Sequence, residues 1–248
     1  MRRKTVRAAY VSDTHCPDQD SKAVAWAAGK IAEFKPDYTV FGGDLFEADA
    51  ASRFYNEQKY DILAEYEAGA KVMNLLAGAA PGSRLIWTLG NHDFNITAKG
   101  RIDKRVRDAV HWNRSEWGES FRRWTQIPYD FSARGVFQLG QAMFWHGHDG
   151  AEDLNAIRVN NACGGYAHRL LVGGHVHVPR LPTAVERTRR IPLPLWIANA
   201  GTLGPLRPEW TTRQDTSRWG AGIVKVELTM GRACQPAKNW ACEVETMQ

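Results

Sequence analysis

Polar side chains that can bind metal ions follow three short apolar runs in the first 93 residues. Asp13 and His15 come directly after the first run, Asp44 after the second, and Asn91 and His92 after the third. Carboxylate oxygen, imidazole nitrogen and amide oxygen together suit Mn²⁺, Fe, Zn²⁺ or Ni²⁺, whereas Ca²⁺ prefers oxygen ligands alone. In open α/β sheets, bound molecules and ions lie beyond the carboxyl ends of the strands. The apolar runs are candidate strands, so the side chains that follow them are expected to converge in space at that edge.

Two histidine pairs in the second half of the chain extend this set. His146 and His148 follow one apolar run, and His175 and His177 follow another. Alternation along an extended segment would place His175 and His177 on the same side. A single motif of this kind more often consists of ordinary polar residues at the surface or in the core than of metal ligands. The occurrence of all five motifs in order favours a metal centre, and the number of ligands is sufficient for two ions. Two histidines lie outside these motifs and are interpreted as structural: His111 and His168.

The elements that carry the first motifs alternate in type. Apolar patterning predicts strands at 6–11, Tyr38–Phe41 and 84–89, and helices at Ser21–Phe34 and about 51–77. Alternation of strand and helix is typical of a parallel sheet covered by helices. The first half of the chain is therefore predicted to form such a sheet.

The second half is richer in predicted strands, which Gly and Pro residues separate and which indicate a second sheet. These strands are predicted at 135–139, 142–145, 170–173, 193–198 and 222–228. Between the halves, at about 94–134, lies a basic segment that contains tryptophans. This segment is too long for a simple connection and is expected to contain short helices. The chain is interpreted as a single domain, 1–248, with 94–134 as an insertion.

Bulk composition excludes several classes of protein. The 248 residues are 44% hydrophobic and 24% charged, which is ordinary for globular proteins and excludes disordered and fibrous classes. No apolar stretch approaches the length of a membrane-spanning helix, so no membrane partner is expected. The basic start is not followed by the apolar segment of a secretion signal, and a cytoplasmic location is expected. The four cysteines contain no Cys-x-x-Cys pair and are interpreted as reduced thiols rather than a zinc ribbon.

Together the motifs resemble the five ordered signatures of the calcineurin-like metallophosphoesterases. They are Asp13-Thr14-His15, Gly42-Gly43-Asp44, Gly90-Asn91-His92-Asp93, His146-Gly147-His148 and Gly173-Gly174-His175-Val176-His177. The resemblance implies an α/β fold, a four-layer α/β/β/α sandwich of two mixed sheets, with the metals where the sheets meet. It also implies hydrolysis of a phosphate ester with two divalent metal ions, with Mn²⁺ favoured and Fe, Zn²⁺ or Ni²⁺ as alternatives.

The resemblance also implies roles for individual residues. One metal ion would be bound by Asp13, His15 and His177, and the other by Asn91, His146 and His175. The Asp44 carboxylate would bridge the two ions. His92 would contact the phosphoryl group and assist the leaving oxygen, and Asp93 would orient His92 by accepting a ring N–H. His148 would either contact the substrate or line the rim of the site.

The residues around the motifs narrow the substrate class. The chain after Asp44 lacks the Asp-Arg-Gly that supplies an essential arginine in serine/threonine protein phosphatases, so that class is disfavoured. Gly42 to Phe46 and Gly90 to Asp93 look like the matching segments of double-strand-break repair nucleases. Phosphodiesters, including nucleic acid, are therefore the favoured substrates, with phosphomonoesters or the diesters of small nucleotides, including cyclic nucleotides, as the alternative. A non-enzymatic scaffold on the same fold is disfavoured because all seven ligand positions are filled.

The basic segment is a candidate for nucleic-acid contact. Arg105 and Arg107 are the candidate phosphate contacts, and the interleaved indoles of Trp112, Trp117 and Trp124 could stack on unpaired bases. In the alternative interpretation, the basic residues form a solvated helix face and the tryptophans anchor the segment to the core or to another subunit.

Overall fold

Eleven strands and five α-helices make up the part of the chain that the structure, a computed structural model, describes. That part is residues 4–51, 60–97, 111–148, 151–185, 194–208, 211, 215–230 and 238–248. The strands are β1 (Lys4–Val11), β2 (Tyr38–Phe41), β3 (Arg84–Thr88), β4 (Thr125–Ile127), β5 (Phe137–Leu139), β6 (Ala142–Phe144), β7 (Arg169–Gly173), β8 (Pro179–Ala184), β9 (Leu195–Ala200), β10 (Gly222–Met230) and β11 (Trp240–Thr246). The helices are α1 (Ser21–Phe34), α2 (Ile62–Ala79), α3 (Asn91–Thr97), α4 (Gly118–Arg122) and α5 (Glu152–Ala162).

The strands form two mixed sheets. The first has the order β11-β10-β1-β2-β3-β4, in which β1 to β4 are parallel and β10 is antiparallel to β1. The second has the order β5-β6-β7-β9-β8, with β6, β7 and β9 parallel. Because the carboxyl ends of parallel strands meet at one edge, the loops after β1, β2 and β3 leave from the same side of the first sheet.

The side chains of β1 show how the layers are divided. Ala9 and Val11 pack in the cluster under α1 and α2, whereas Ala8 and Tyr10 pack in a cluster shared with β7 and β9 of the second sheet. A third cluster joins the outer face of the second sheet to α5. This alternation gives one strand two buried faces, as a strand between two layers requires. The predicted four-layer α/β/β/α sandwich of two mixed sheets is confirmed.

Local sequence explains the bounds of α1, which coincide with the prediction. The Asp20 side chain accepts hydrogen bonds from the backbone N–H groups of Lys22 and Ala23, which caps the amino end. Lys35 ends the helix in a left-handed conformation with its N–H bonded to the Ile31 carbonyl, directly before Pro36. The second predicted helix begins later than expected, at Ile62 after the cap Asp61, and positions 52–59 lie outside the described residues.

Several elements differ from the sequence prediction. The strand at 222–228, expected in the second sheet, lies in the first as β10, where Val226 pairs with Ala8 of β1. Three strands were not predicted at all, namely β4, β8 and β11, nor was helix α5. The three strands have short or polar sequences, so pairing with a neighbouring strand, rather than apolar periodicity, determines them.

The segment 94–134 is partly integrated into the first sheet. Short helical turns occur in it as predicted, and β4 pairs with β3. Trp112 and Trp124 are buried in the core cluster, where Trp112 contacts Trp87 and Phe46. The prediction that these two indoles stack on bases is therefore wrong, and the alternative of anchoring to the core is confirmed for them. Arg105 and Arg107 lie outside the described residues.

Two further expectations concern the thiols and the membrane. Cys16, Cys163 and Cys242 are free thiols, as predicted for the described residues, and Cys234 lies outside them. Within the described ranges, no helix combines the length and the apolar character needed to cross a membrane.

The burial of Trp112 makes a prediction about stability. Trp112→Ala should lower the free energy of unfolding by about 3–5 kcal/mol, because it removes a fully buried indole and leaves a cavity among aromatic rings. Leu181→Ala, at a side chain that is mostly exposed, is the control and should change stability little. Urea unfolding followed by fluorescence measures both. A loss below about 1 kcal/mol for Trp112→Ala would mean that this indole does not anchor the segment.

Candidate metal centre

Five of the seven predicted ligands have a left-handed backbone, with φ between 49° and 67°: Asp13, His15, Asp44, His175 and His177. Residues other than glycine rarely adopt this conformation, which costs about 1–3 kcal/mol each and concentrates at functional sites. Backbone hydrogen bonds between the strand-end loops hold it in place, from the Asp13 N–H to the Gly43 carbonyl and from the His15 N–H to the Asp44 carbonyl. The loops after β1 and β2 are therefore bent together toward one point.

The first group of converging side chains is Asp13, His15 and His177. The Nε2 atoms of His15 and His177 lie 3.3 Å apart, and His177 Nε2 lies 3.3 Å from Asp13 Oδ1. The ligand atoms of all three residues lie within 4.8 Å of one another. The Nδ1 atom of His15 faces the Glu47 carboxylate at 2.8 Å. A neutral His15 therefore carries its proton on Nδ1 and directs the lone pair of Nε2 toward the group.

The second group is Asp44, His146 and His175, with Asn91 beside it. His146 Nε2 lies 3.2 Å from Asp44 Oδ2 and 3.1 Å from the Asn91 side-chain oxygen. The other ring nitrogen, Nδ1, donates to the Gly42 carbonyl at 2.7 Å. As for His15, this bond leaves Nε2 as the nitrogen available to a metal.

His175 and His177 reach different groups, and by a route other than the one predicted. Between β7 and β8 the chain bends at residues 175–176 instead of continuing as an extended strand, and both histidines have a left-handed backbone. The N–H of His175 donates to both carboxylate oxygens of Asp13, at 3.1 and 3.0 Å. The bend thus holds the Asp13 carboxylate while it presents one imidazole to each group.

Charges within the cluster favour cations. Burial would raise the pKa of Asp44, but the charges of His146 and His92 hold it well below its usual range. Burial would lower the pKa of His146, but the Asp44 carboxylate raises it to about 9. The pKa of His15 is likewise raised to about 9, against burial, by the hydrogen bond and charge of Glu47. The carboxylates thus create a potential that retains positive charge on their neighbours.

The donor set therefore fits two divalent metal ions. Imidazole nitrogens and carboxylate oxygens approach each other at buried positions, with the ring protons directed away at His15 and His146. Nitrogen and oxygen donors of this kind suit Mn²⁺, Fe, Zn²⁺ or Ni²⁺. Asp44 belongs to the second group and its charge also acts on His15 of the first, so its place agrees with the predicted bridge. Metal binding by each residue stays a prediction.

Glu47 is a functional candidate that the sequence analysis missed. Its carboxylate accepts from His15, and its backbone carbonyl lies 2.6 Å from Nδ1 of His92. The His15 and His92 rings meet edge to face with centroids 4.8 Å apart. Glu47 therefore positions one predicted ligand and the predicted catalytic histidine together. A carboxylate three residues after Asp44 was the available signal, but its partners are distant in sequence.

Asp93 has a different role from the predicted one. Its carboxylate accepts hydrogen bonds from the backbone N–H groups of Gly90, Leu45 and Phe46, at 2.9, 3.1 and 3.4 Å. The ring of His92 is instead bonded to the Glu47 carbonyl. Burial and the charge of Asp44 raise the pKa of Asp93 to about 6. Asp93 thus joins the loop after β2 to the start of α3, and the prediction that it accepts a ring N–H of His92 is wrong.

His148 lies beneath aromatic rings. Its imidazole stacks on Phe131 with centroids 3.5 Å apart, and the ring of Tyr129 lies 4.4 Å away. The side chain is buried, so these rings separate it from an open rim. Substrate contact by His148 stays a prediction. His111, interpreted as structural, caps a short helical turn by accepting the Asn113 N–H.

Comparison with known families agrees with the site. A family model described as calcineurin-like phosphoesterase matches residues 6–179, more than half of the chain. The chain belongs to the calcineurin-like phosphoesterase family. No curated protein sequence gives a significant match.

Solved structures with a similar fold share little sequence with this chain. YfcE, a phosphoesterase from E. coli, is 15% identical with a TM-score of 0.43, covering 91% of this chain and 93% of that one. Vps29 from Cryptosporidium parvum is 12% identical with a TM-score of 0.44, covering 98% and 99%. A 5′-nucleotidase precursor from Thermus thermophilus is 13% identical with a TM-score of 0.43, covering 98% and 54%. Identities this low do not identify an activity.

The packing around Asp13 makes a prediction about metal content. A Cβ added at Gly174 would overlap the Asp13 carboxylate and the Ser12 hydroxyl, so Gly174→Ala should displace Asp13 and reduce bound metal below two ions per chain. Gly78→Ala is the control, because a Cβ there meets no atom within 4 Å. Metal analysis after reconstitution measures both variants. Two tightly bound ions in a folded Gly174→Ala variant would remove Asp13 from the ligand set.

Proposed function

We propose that this protein is a binuclear metal-dependent phosphoesterase that hydrolyses phosphodiesters. The observation that carries the proposal is the pairing of two ligand groups, Asp13–His15–His177 and Asp44–His146–His175, next to the ring of His92. Family membership supports phosphoester chemistry, and the filled ligand positions support an enzyme rather than a scaffold.

The residues of the site would have separate roles in metal binding and in positioning the ligands. The first group would hold one ion and the second group, with Asn91, the other. When bound, two such ions supply Lewis-acid stabilisation of the phosphoryl oxygens and of the attacking and leaving oxygens. Asp44 supplies a buried negative charge close to both groups, and Glu47 fixes the orientation of the His15 ring. This holds the ligands in place before the substrate arrives.

The contacts of His92 support a role in proton transfer. Its backbone N–H donates to Asp44 Oδ1 at 2.9 Å, which ties the start of α3 to the second group. Its ring is held through Nδ1 by the Glu47 carbonyl, so Nε2 is the nitrogen left to exchange a proton with substrate. A histidine protonated at Nε2 would donate to the leaving oxygen as the ester bond breaks.

The charge of Glu47 supports diesters over monoesters. The Glu47 carboxylate accepts a hydrogen bond from His15 Nδ1 at 2.8 Å and so presents a negative charge beside His15 and His92. A phosphodiester carries one negative charge, whereas a monoester near neutral pH carries up to two. Coulomb repulsion from Glu47 therefore disfavours the monoester more strongly.

Substrate preference tests the proposal. Metal-reconstituted protein should hydrolyse bis(p-nitrophenyl) phosphate with a kcat/KM about tenfold or more above that for p-nitrophenyl phosphate, and Glu47→Gln should shift this ratio severalfold toward the monoester. Glu227→Gln, at an exposed carboxylate on β10, is the control and should leave the ratio unchanged. A preference for the monoester would contradict the diester assignment, and absence of hydrolysis with any divalent metal would contradict the activity itself.

The role of His92 makes a second prediction. His92→Ala should lower kcat by about 10²–10⁴-fold with two metals retained, and the loss should shrink for good leaving groups, which need no proton. The matched control is His111→Ala, which removes a histidine that caps a short helical turn. Rates on p-nitrophenyl and alkyl diesters of equal charge measure the difference. Equal losses on both leaving groups would exclude proton donation and leave His92 a positioning role.

A further inference from the structure

Three aromatic side chains, Phe94, Tyr129 and Phe131, form a wall beside the second ligand group. Phe94 lies in α3 two residues after His92, and Tyr129 and Phe131 follow β4. The rings of Phe94 and Tyr129 are 5.6 Å apart between centroids, and those of Tyr129 and Phe131 are 6.4 Å apart. The three rings are therefore continuous along one side.

The wall starts at a predicted metal ligand. The ring of Tyr129 lies 6.0 Å from that of His146, whose Nε2 faces Asp44 and Asn91. The imidazole of His148 stacks against Phe131 with an interplanar angle of 15°. Phe131 is thus supported from behind by a buried ring and presents its remaining surface to solvent.

Two of these neighbouring rings are exposed to solvent beside the second ligand group. Phe94 is 39% exposed and Phe131 is 46% exposed, whereas Phe41, Phe46, Phe121 and Phe144 are fully buried. Apolar surface left in water next to a site is typical of a binding surface. The guanidinium carbon of Arg158 lies over the Phe131 ring, 5.8 Å from its centroid, and adds a positive charge beside the wall. A flat, partly polar ring would cover the wall and meet this charge.

We propose that this wall binds the nucleobase of a nucleoside phosphodiester, which makes Phe131 and Phe94 specificity-determining residues. The inference rests on the proposed phosphodiesterase activity and names its substrate class. Base stacking on an aromatic side chain tolerates any base, because each base has a flat π-face, and arginine can add a cation–π contact. The wall replaces Trp112 and Trp124, which the core covers, as the stacking surface.

Two esters with the same leaving group isolate this contact. The p-nitrophenyl ester of thymidine 5′-monophosphate and methyl p-nitrophenyl phosphate carry the same charge and the same scissile bond, but only the first carries a base. Metal-loaded wild-type protein should prefer the thymidine ester in kcat/KM, and Phe131→Ala and Phe131→Leu should each reduce that preference about fivefold to one hundredfold. The Leu variant keeps the apolar contact with His148 but lacks a ring face.

Binding provides a readout that is independent of turnover. Calorimetry should show that thymidine 5′-monophosphate binds metal-loaded wild-type protein more tightly than methyl phosphate does, and Phe131→Leu should reduce the difference by a similar factor. Tyr166→Ala is the matched control, because Tyr166 is an exposed aromatic residue before β7, at the opposite end of that strand from His175. It should leave both preferences unchanged.

The outcomes separate the inference from the function on which it rests. Equal kcat/KM for the two esters in wild-type protein, or a preference that Phe131→Leu leaves intact, would overturn the base-binding wall and leave the phosphodiesterase standing. If neither ester is hydrolysed but thymidine 5′-monophosphate still binds through Phe131, the wall stands and the activity falls. Absence of both hydrolysis and Phe131-dependent binding overturns both.

Discussion

Two buried carboxylates constrain the structure around them. Asp13 is 0% exposed and Asp44 is 2% exposed, each at the carboxyl end of a central parallel strand. Removing an ionised carboxylate from water costs several kcal/mol unless positive charge or hydrogen bonds replace the lost solvation. Backbone N–H groups of His92 and His175 supply part of that replacement, and histidine rings supply more. Divalent cations would supply the remainder, which explains why buried acids and imidazoles occur together here.

This constraint extends into the backbone. Glycines at 90 and 174 leave room that the Asp44 and Asp13 carboxylates fill, since a Cβ at either position would overlap them. Left-handed conformations at the ligands turn the side chains inward, and interstrand hydrogen bonds hold this strained geometry. The loop after β2 is held in turn by helix α2, because the Glu65 carboxylate in α2 accepts hydrogen bonds from the backbone N–H groups of Ala48 and Asp49. That loop carries Glu47, so helix α2 indirectly supports the orientation of two histidines in the site.

Sequence reasoning predicted the parts of this molecule that have local signals. Strands β1, β2 and β3 each end in polar ligands, and α1 has a cap at Asp20 and a stop at Lys35-Pro36, so both were predictable. The sheet assignment of β10 depends on pairing with β1 across more than 200 residues, and β11 depends on pairing with β10; one sequence carries no periodic signal for either. The same limit applies to Glu47, whose role follows only from its distance to His15 and His92. Tryptophans interleaved with arginines fit a stacking surface and a core anchor equally well, and only the burial of Trp112 and Trp124 distinguished them.

We expect this fold to bind two divalent metal ions at the carboxyl ends of its parallel strands, with the Asp44 carboxylate shared between them. Anomalous diffraction from crystals of Mn²⁺-reconstituted protein tests it most directly. We predict two adjacent peaks, one contacted by Asp13, His15 and His177, the other by Asn91, His146 and His175, and both by the Asp44 carboxylate. A single peak, or two peaks that Asp44 does not join, would contradict the binuclear site on which the proposed chemistry depends.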